Sequence, residues 1–204
     1  MDSKNKVNGK KKSPFSNKND VRRLTYLAVL TAIVFVLQLV SFAMRGPVFS
    51  LTFVLVPIVV GISLCGKWAG PWLGFVFGVA VLVTGDANLF LSFSWFGTIV
   101  TVLLKGVLAG LAAAFVYNLL ENKNRYLAVI LAAITTPIVN TGTFFLGCVV
   151  FFLDDIQEFW QLEAGTTVGF VITGLIGINF IIELAVNVIL VPTVCRLIEI
   201  AKKK

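Results

Sequence analysis

Six long apolar runs dominate this sequence and restrict what it can fold into more than any other feature. A helix that crosses the hydrocarbon core of a bilayer needs about 20 mostly apolar residues. The runs are continuous rather than alternating, which disfavours a transmembrane β-barrel. The predicted membrane helices cover residues 24–44, 50–66, 70–84, 97–119, 126–153 and 168–200.

The amino-acid composition excludes a soluble protein of this length. Of the 204 residues, 58% are hydrophobic and only 13% are charged. Such a chain has too few polar side chains to cover its core in water. It also carries too much apolar side chain to remain disordered in water. We therefore expect an all-α integral membrane protein.

The net charge of +7 is concentrated at the two ends of the chain. Residues 1–23 hold eight Lys and Arg against two Asp, whereas residues 24–195 hold five bases against seven acids. Cytoplasmic segments of membrane proteins are enriched in Lys and Arg. Six spans with both termini cytoplasmic place fifteen of the seventeen bases on the cytoplasmic side, a separation that five or seven spans lose.

This charge distribution predicts three segments. A basic, disordered cytoplasmic tail covers residues 1–23, a six-helix membrane domain covers 24–201, and a basic cytoplasmic end covers 202–204. The tail is interpreted as an anchor that fixes the topology, and not as a nucleic-acid contact.

Two charged residues lie in the interior of the predicted spans, Lys105 and Glu183. A charge at the centre of a bilayer costs roughly 2.5–3.5 kcal/mol on insertion scales, so such residues are candidates for function. Each belongs to a polar stripe at helical spacing, and a third stripe lies on the fifth span. The stripes are Thr98, Thr101 and Lys105; Thr136, Asn140, Thr143 and Gly147; and Asn179, Glu183 and Asn187.

Converging stripes would form a polar pocket that opens to the outside. The alternative is that Lys105 and Glu183 pair with each other and that the stripes only hold helices together. Two outer loops, 85–96 and 154–166, are rich in aromatic residues, which serve either as interface anchors or as a lid over a ligand. The candidate substrate-binding residues are Lys105, Asn140, Glu183, Asn179, Thr101, Thr143, Asn187 and Trp95.

Small residues recur four positions apart on three of the spans. Gly70, Gly74 and Gly78 share one face of the third span, and Gly106 and Gly110 share one face of the fourth. This spacing lets helix backbones approach closely, and we expect it to serve internal packing. Ala28 and Ala32 on the first span could instead face a partner protein.

The sequence lacks the residues that several kinds of catalysis and metal binding require. The chain has no histidine, so histidine-based catalysis and histidine metal sites are excluded. Cys65, Cys148 and Cys195 are isolated and form no CxxC pair. The run from Gly9 to Ser13 lacks the upstream glycine and the strand of a phosphate-binding loop. We therefore expect no enzyme activity, no metal and no cofactor.

The chain resembles the substrate-binding S components of energy-coupling factor (ECF) vitamin transporters over residues 22–201. The resemblance rests on the size, on six spans with both ends inside, and on several sequence runs. These runs are Ala28-Val29-Leu30-Thr31-Ala32, Val56 to Gly61, Gly70 to Phe75, Lys105-Gly106 and Asn179 to Pro192.

The resemblance implies a multi-pass protein of the cell membrane, in a bacterial plasma membrane. It implies high-affinity capture of a small vitamin from outside for ATP-driven uptake. The partners would be a membrane coupling subunit and two cytoplasmic ATPase subunits, with no nucleic acid. Because the family's alanine motif faces the coupling subunit, Ala28 and Ala32 would have that role.

Lys105 would favour an anionic ligand through a charge-assisted contact. Pantothenate suits such a site better than riboflavin or folate, which require more aromatic stacking, although the aromatic residues at 90–96 keep both open. Two other classes of function remain. One is a stand-alone secondary carrier or channel for a small organic solute, and the other is a structural or assembly protein.

Overall fold

The computed structural model describes residues 18–44, 53–163 and 165–203. Within these ranges the backbone forms helices and no strand. The helices are α1 (Lys18–Ala43), α2 (Leu55–Cys65), α3 (Ala69–Thr84), α4 (Asn88–Phe93), α5 (Trp95–Leu120), α6 (Arg125–Phe151), α7 (Leu153–Phe159), α8 (Thr167–Phe170) and α9 (Ile178–Lys203), with a π-helical segment at Val171–Gly177.

The six predicted apolar runs all coincide with helices. Four helical stretches are long and apolar enough to cross a membrane, namely Asp20–Ala43, Trp95–Leu120, Arg125–Phe151 and Thr167–Ala201. α2 and α3 are apolar but shorter, with 11 and 16 residues. An all-helical membrane protein is confirmed, whereas the number of crossings stays a prediction.

The predicted segment boundaries differ slightly from those of the helices. α1 begins at Lys18, so residues 18–23 of the predicted basic tail are helical. α9 likewise continues to Lys203 through the predicted basic end. Residues 1–17 of the predicted tail, and Arg45 between the first two spans, lie outside the described residues.

α2 lies at the centre of the bundle, where it packs against α1, α3, α5, α6 and α9. Its sequence permits this position, because no face of the helix is polar. Leu55, Ile58 and Ile62 are all fully buried. A helix that is apolar on every side suits either a protein core or a lipid environment, and here its neighbours place it in the core.

Glycines bring α3 and α5 into backbone contact. A Cβ atom at Gly74 would collide with the carbonyl oxygen of Gly106, and one at Gly70 would collide with that of Gly110. At Gly78 a Cβ would lie 2.9 Å from the carbonyl oxygen of Val102. The prediction that these glycines serve internal packing is therefore confirmed.

The bundle has two chemically different ends. The Arg22 guanidinium donates a 2.6 Å hydrogen bond to the Ala201 carbonyl, so the start of α1 and the finish of α9 lie together. This end, which we name the basic end, also holds the 66–68 and 121–124 turns. At the opposite, acidic end, Gln38 donates a 3.1 Å hydrogen bond to Asp86, and α7 carries Asp154 and Asp155.

Candidate functional site

α5, α6 and α9 bring the predicted polar stripes together. α6 packs against both of the other helices. A Cβ atom at Gly147 on α6 would collide with the Thr101 side chain on α5, so these two residues touch. On the other side of α6, the Thr141 side chain lies close to the Glu183 carboxylate of α9. One polar zone therefore extends across three helices, and we call it the polar core.

The polar core contains oxygen atoms that lack hydrogen-bond partners. Among the described residues, five buried side-chain nitrogen or oxygen atoms have no partner, and four of them lie here. They are Thr101 Oγ1, Asn140 Oδ1, Glu183 Oε1 and Asn187 Oδ1. Their residues are between 1% and 7% exposed. Because native proteins leave few buried polar atoms unpaired, such a concentration calls for an explanation.

Lys105 of the α5 stripe is half-buried. Its ammonium nitrogen is 5.1 Å from the centroid of the Phe144 ring and 5.7 Å from that of the Phe77 ring. Both distances fall within the range of a cation–π interaction. Lys105 is also close enough to Glu183 for their opposite charges to attract. The single lysine of the predicted spans is thus held at the polar core by two aromatic faces and a carboxylate.

The remaining predicted site residues are less buried than the residues of the four orphaned oxygens. Thr143 and Asn179 are half-buried, and the Asn179 amide donates a 3.1 Å hydrogen bond to the Leu175 carbonyl of its own helical stretch. Trp95 begins α5 with its side chain 70% exposed. The structure therefore does not place the Trp95 side chain among the buried atoms of the polar core.

An aromatic cluster covers the polar core at the acidic end. Phe90 of α4 lies 5.3 Å from both Phe144 and Phe152, measured between ring centroids. Trp160 connects the rings of Phe159 and Phe170 at 4.7 and 5.4 Å. Phe93 lies 5.5 Å from Phe159 and 6.5 Å from Trp160, so the 85–96 and 154–166 loops touch at this end of the bundle.

Sequence reasoning missed Phe144, which touches both Lys105 and the aromatic cluster. Its position carried a signal, because it follows Asn140 by four residues and therefore lies on the same face of α6. Phe144 is an apolar residue in an apolar run, so the sequence did not mark it as a candidate site residue.

Ala28 and Ala32 lie on an exposed face of α1. Val29 and Val36 on the same helix are 52% and 57% exposed. The opposite side of α1 packs against α2 and α3, with Leu30 and Val34 buried. The two alanines therefore take no part in the internal packing of the described residues, unlike the glycines of α3 and α5.

The family model described as "ECF transporter, substrate-specific component" matches residues 22–195. Neither the curated proteins nor the solved structures contain a match to the chain.

Proposed function

Because the chain belongs to the family of substrate-specific components of ECF transporters, we propose that it captures a small vitamin from outside with high affinity. Partner subunits would then drive its uptake with ATP. The partners would be a membrane coupling subunit and two cytoplasmic ATPase subunits. The chain itself would contribute the binding site and no catalytic step.

The observation that carries this proposal is the set of four unpartnered buried oxygens in the polar core. Leaving a buried polar group unpaired costs about 1–3 kcal/mol. Helices that only needed to hold together would be more stable with apolar residues at these positions. A bound ligand that hydrogen-bonds to these oxygens would recover the cost, which explains why such residues are tolerated.

The proposed topology has six spans, both termini in the cytoplasm and the basic end inside. Lys and Arg at the basic end support this orientation, because cytoplasmic segments are enriched in them. α2 measures about 16 Å at 1.5 Å per residue, which is shorter than a bilayer core. The five helices around α2 would shield it from lipid. The aromatic cluster at the acidic end would then face outside and close over the ligand.

Pantothenate is the proposed ligand, and riboflavin and folate are the alternatives that the test must separate. The single carboxylate of pantothenate matches the single lysine at the polar core. In this zone of low dielectric a charge-assisted hydrogen bond is strong. Native mass spectrometry of protein purified from rich medium tests this choice directly. Retained pantothenate supports it, whereas retained riboflavin or folate identifies a different vitamin.

Transport assays separate this function from that of a stand-alone carrier. In proteoliposomes, we expect the purified chain to bind pantothenate without accumulating it, and accumulation to require the coupling and ATPase subunits with ATP. Concentrative uptake by the chain alone, driven by an ion gradient, would contradict the proposal.

The exposed alanines of α1 are the proposed contact with the coupling subunit. Ala28→Trp combined with Ala32→Trp should abolish uptake and leave pantothenate binding unchanged, because large side chains prevent close helix approach. Val150→Trp is the control, since Val150 is 69% exposed on α6. Normal uptake by the double variant would remove the coupling role from α1.

A further inference from the structure

We infer that the polar core binds its ligand in one direction, with a carboxylate at Lys105 and hydroxyl or N–H donors at the oxygens of Asn140, Glu183 and Asn187. This inference rests on the proposed function and adds the orientation of the ligand and the donor groups that it must carry. The helix register, the chemistry of the orphaned atoms and the length of the site support it.

The orphaned atoms share one chemical property. Two of them, on Asn140 and Asn187, are amide oxygens, which accept hydrogen bonds. A third is an oxygen of the Glu183 carboxylate, which only accepts when it is ionised. The fourth, the Thr101 hydroxyl, can accept or donate. A ligand that satisfies these atoms must therefore present donors, and an anionic group placed against Glu183 would be repelled.

Two local contacts fix which atoms remain for a ligand. The Asn187 side-chain nitrogen donates a 2.8 Å hydrogen bond to the Glu183 main-chain carbonyl, and this leaves the amide oxygen without a partner. The Thr141 side chain lies close to the Glu183 carboxylate, and Glu183 Oε1 has no hydrogen-bond partner. The Asn187 oxygen is thus oriented by the bond that its own amide nitrogen makes.

The helix register orders these groups along the bundle. Lys105 lies beside Phe144 of α6, and Glu183 lies beside Thr141, three residues nearer the basic end. Asn187 follows Glu183 by one turn in the same direction. At 1.5 Å per residue, Lys105 and Asn187 are separated by about 10 Å along the bundle axis. The cation therefore lies toward the acidic end and the acceptors lie deeper.

Pantothenate fits this order in one direction. Standard bond lengths give an extended molecule of about 10 Å, with the carboxylate at one end, an amide N–H in the middle and two hydroxyls toward the other end. With the carboxylate at Lys105, its N–H and hydroxyls lie at the depth of the acceptors. In the reverse direction the carboxylate would lie at the depth of Asn187, about 10 Å from Lys105 along the bundle axis.

Binding to the full-length protein in nanodiscs, measured by isothermal titration calorimetry, tests this orientation with three probes. The first is pantothenate. The second, N-(3,3-dimethylbutanoyl)-β-alanine, keeps the carboxylate and amide but lacks both hydroxyls. The third, pantothenol, replaces the carboxylate with a hydroxymethyl group. Wild type should prefer pantothenate over the hydroxyl-free probe by about 100-fold or more, because a site built to hydrogen-bond a hydroxyl rejects analogues that lack it.

Variants assign each end of the ligand to its residues. Asn187→Leu should reduce the preference for pantothenate over the hydroxyl-free probe to below about 10-fold and keep the preference for pantothenate over pantothenol. Lys105→Met should abolish the preference for pantothenate over pantothenol and keep the preference for pantothenate over the hydroxyl-free probe. Asn140→Leu is the second acceptor variant if Asn187→Leu does not fold, and thermal unfolding identifies that case. Ser63→Ala at the basic end is the control and should alter neither preference.

The failures of the two proposals can be told apart. Equal affinity of wild type for pantothenate and the hydroxyl-free probe overturns the orientation, as does an unchanged hydroxyl preference in folded Asn187→Leu and Asn140→Leu. Retention of riboflavin or folate with no binding of pantothenate also overturns it. In each of these cases the protein still binds a vitamin. Binding of no vitamin at all would overturn the proposed function itself.

Discussion

α5 contacts its neighbours in two contrasting ways. Toward α3 it presents Gly106 and Gly110, and the two backbones touch. Toward α6 it presents Thr101 and Lys105, in a zone where buried oxygens lack partners. The first contact gains dispersion energy from close packing, whereas each orphaned oxygen in the second costs about 1–3 kcal/mol. One helix thus stabilises the bundle on one face and carries the proposed binding site on another.

The largest effect is expected from filling the glycine contact. In Gly74→Leu the new side chain would overlap the Gly106 carbonyl and the backbone nitrogen of Val107, so α3 and α5 could not approach. We expect no monodisperse protein in size-exclusion chromatography. Gly142→Leu is the control, because a Cβ there meets nothing within 4 Å among the described residues. A folded Gly74→Leu with the wild-type melting temperature would show that the glycine contact is not needed.

The next effect concerns binding and should leave the glycine contact intact. Lys105→Met removes the single lysine of the predicted spans and should weaken pantothenate binding by roughly 2–5 kcal/mol. Isothermal titration calorimetry measures this change. Lys67→Met is the control, because Lys67 is exposed in the turn between α2 and α3. If both variants bind as tightly as wild type, Lys105 does not contact the ligand.

Asn140→Leu tests most directly how much stability the unpaired oxygens of the polar core cost the unliganded protein. Replacing the orphaned amide with an apolar side chain should stabilise the unliganded protein by about 1–2 kcal/mol and weaken pantothenate binding by about tenfold. Thermal unfolding and calorimetry report the two changes separately.

Thr136→Val, one turn away on α6, is the matched control for Asn140→Leu. Its hydroxyl already donates a 2.6 Å hydrogen bond to the Ala132 carbonyl, so its removal should bring no gain in stability. A loss of stability in Asn140→Leu without any change in binding would make Asn140 a structural residue.

The smallest effect is expected far from the site. Ser63 and Tyr117 share a buried 2.8 Å hydrogen bond between α2 and α5 near the basic end. Tyr117→Phe should cost about 1 kcal/mol of stability and leave pantothenate affinity unchanged. A change in affinity would indicate that the basic end and the polar core are coupled. The thermal midpoint and the dissociation constant are the two measurements.

Much of the fold could be predicted because apolar runs and glycine spacing act locally. Each predicted run coincides with a helix, and Gly74 packs against Gly106 as the spacing indicated. The site was predictable only in part. Period 3.6 identified one face of a helix at a time, which placed Asn140 and Glu183 on the polar faces of α6 and α9. It could not show that the Trp95 side chain is exposed or that Phe144 contacts Lys105.

The sequence by itself determined that this protein lies in a membrane and where its helices are. It also determined which few polar residues are costly to place inside the apolar runs. These properties follow from transfer free energies and backbone periodicity, which depend on residues close together in the chain. Only the tertiary structure decided that α2 is central, that Ala28 and Ala32 face outward, and that oxygens from three helices share one zone. These properties depend on how helices distant in sequence pack, because the partners of a buried polar atom come from its neighbours in space.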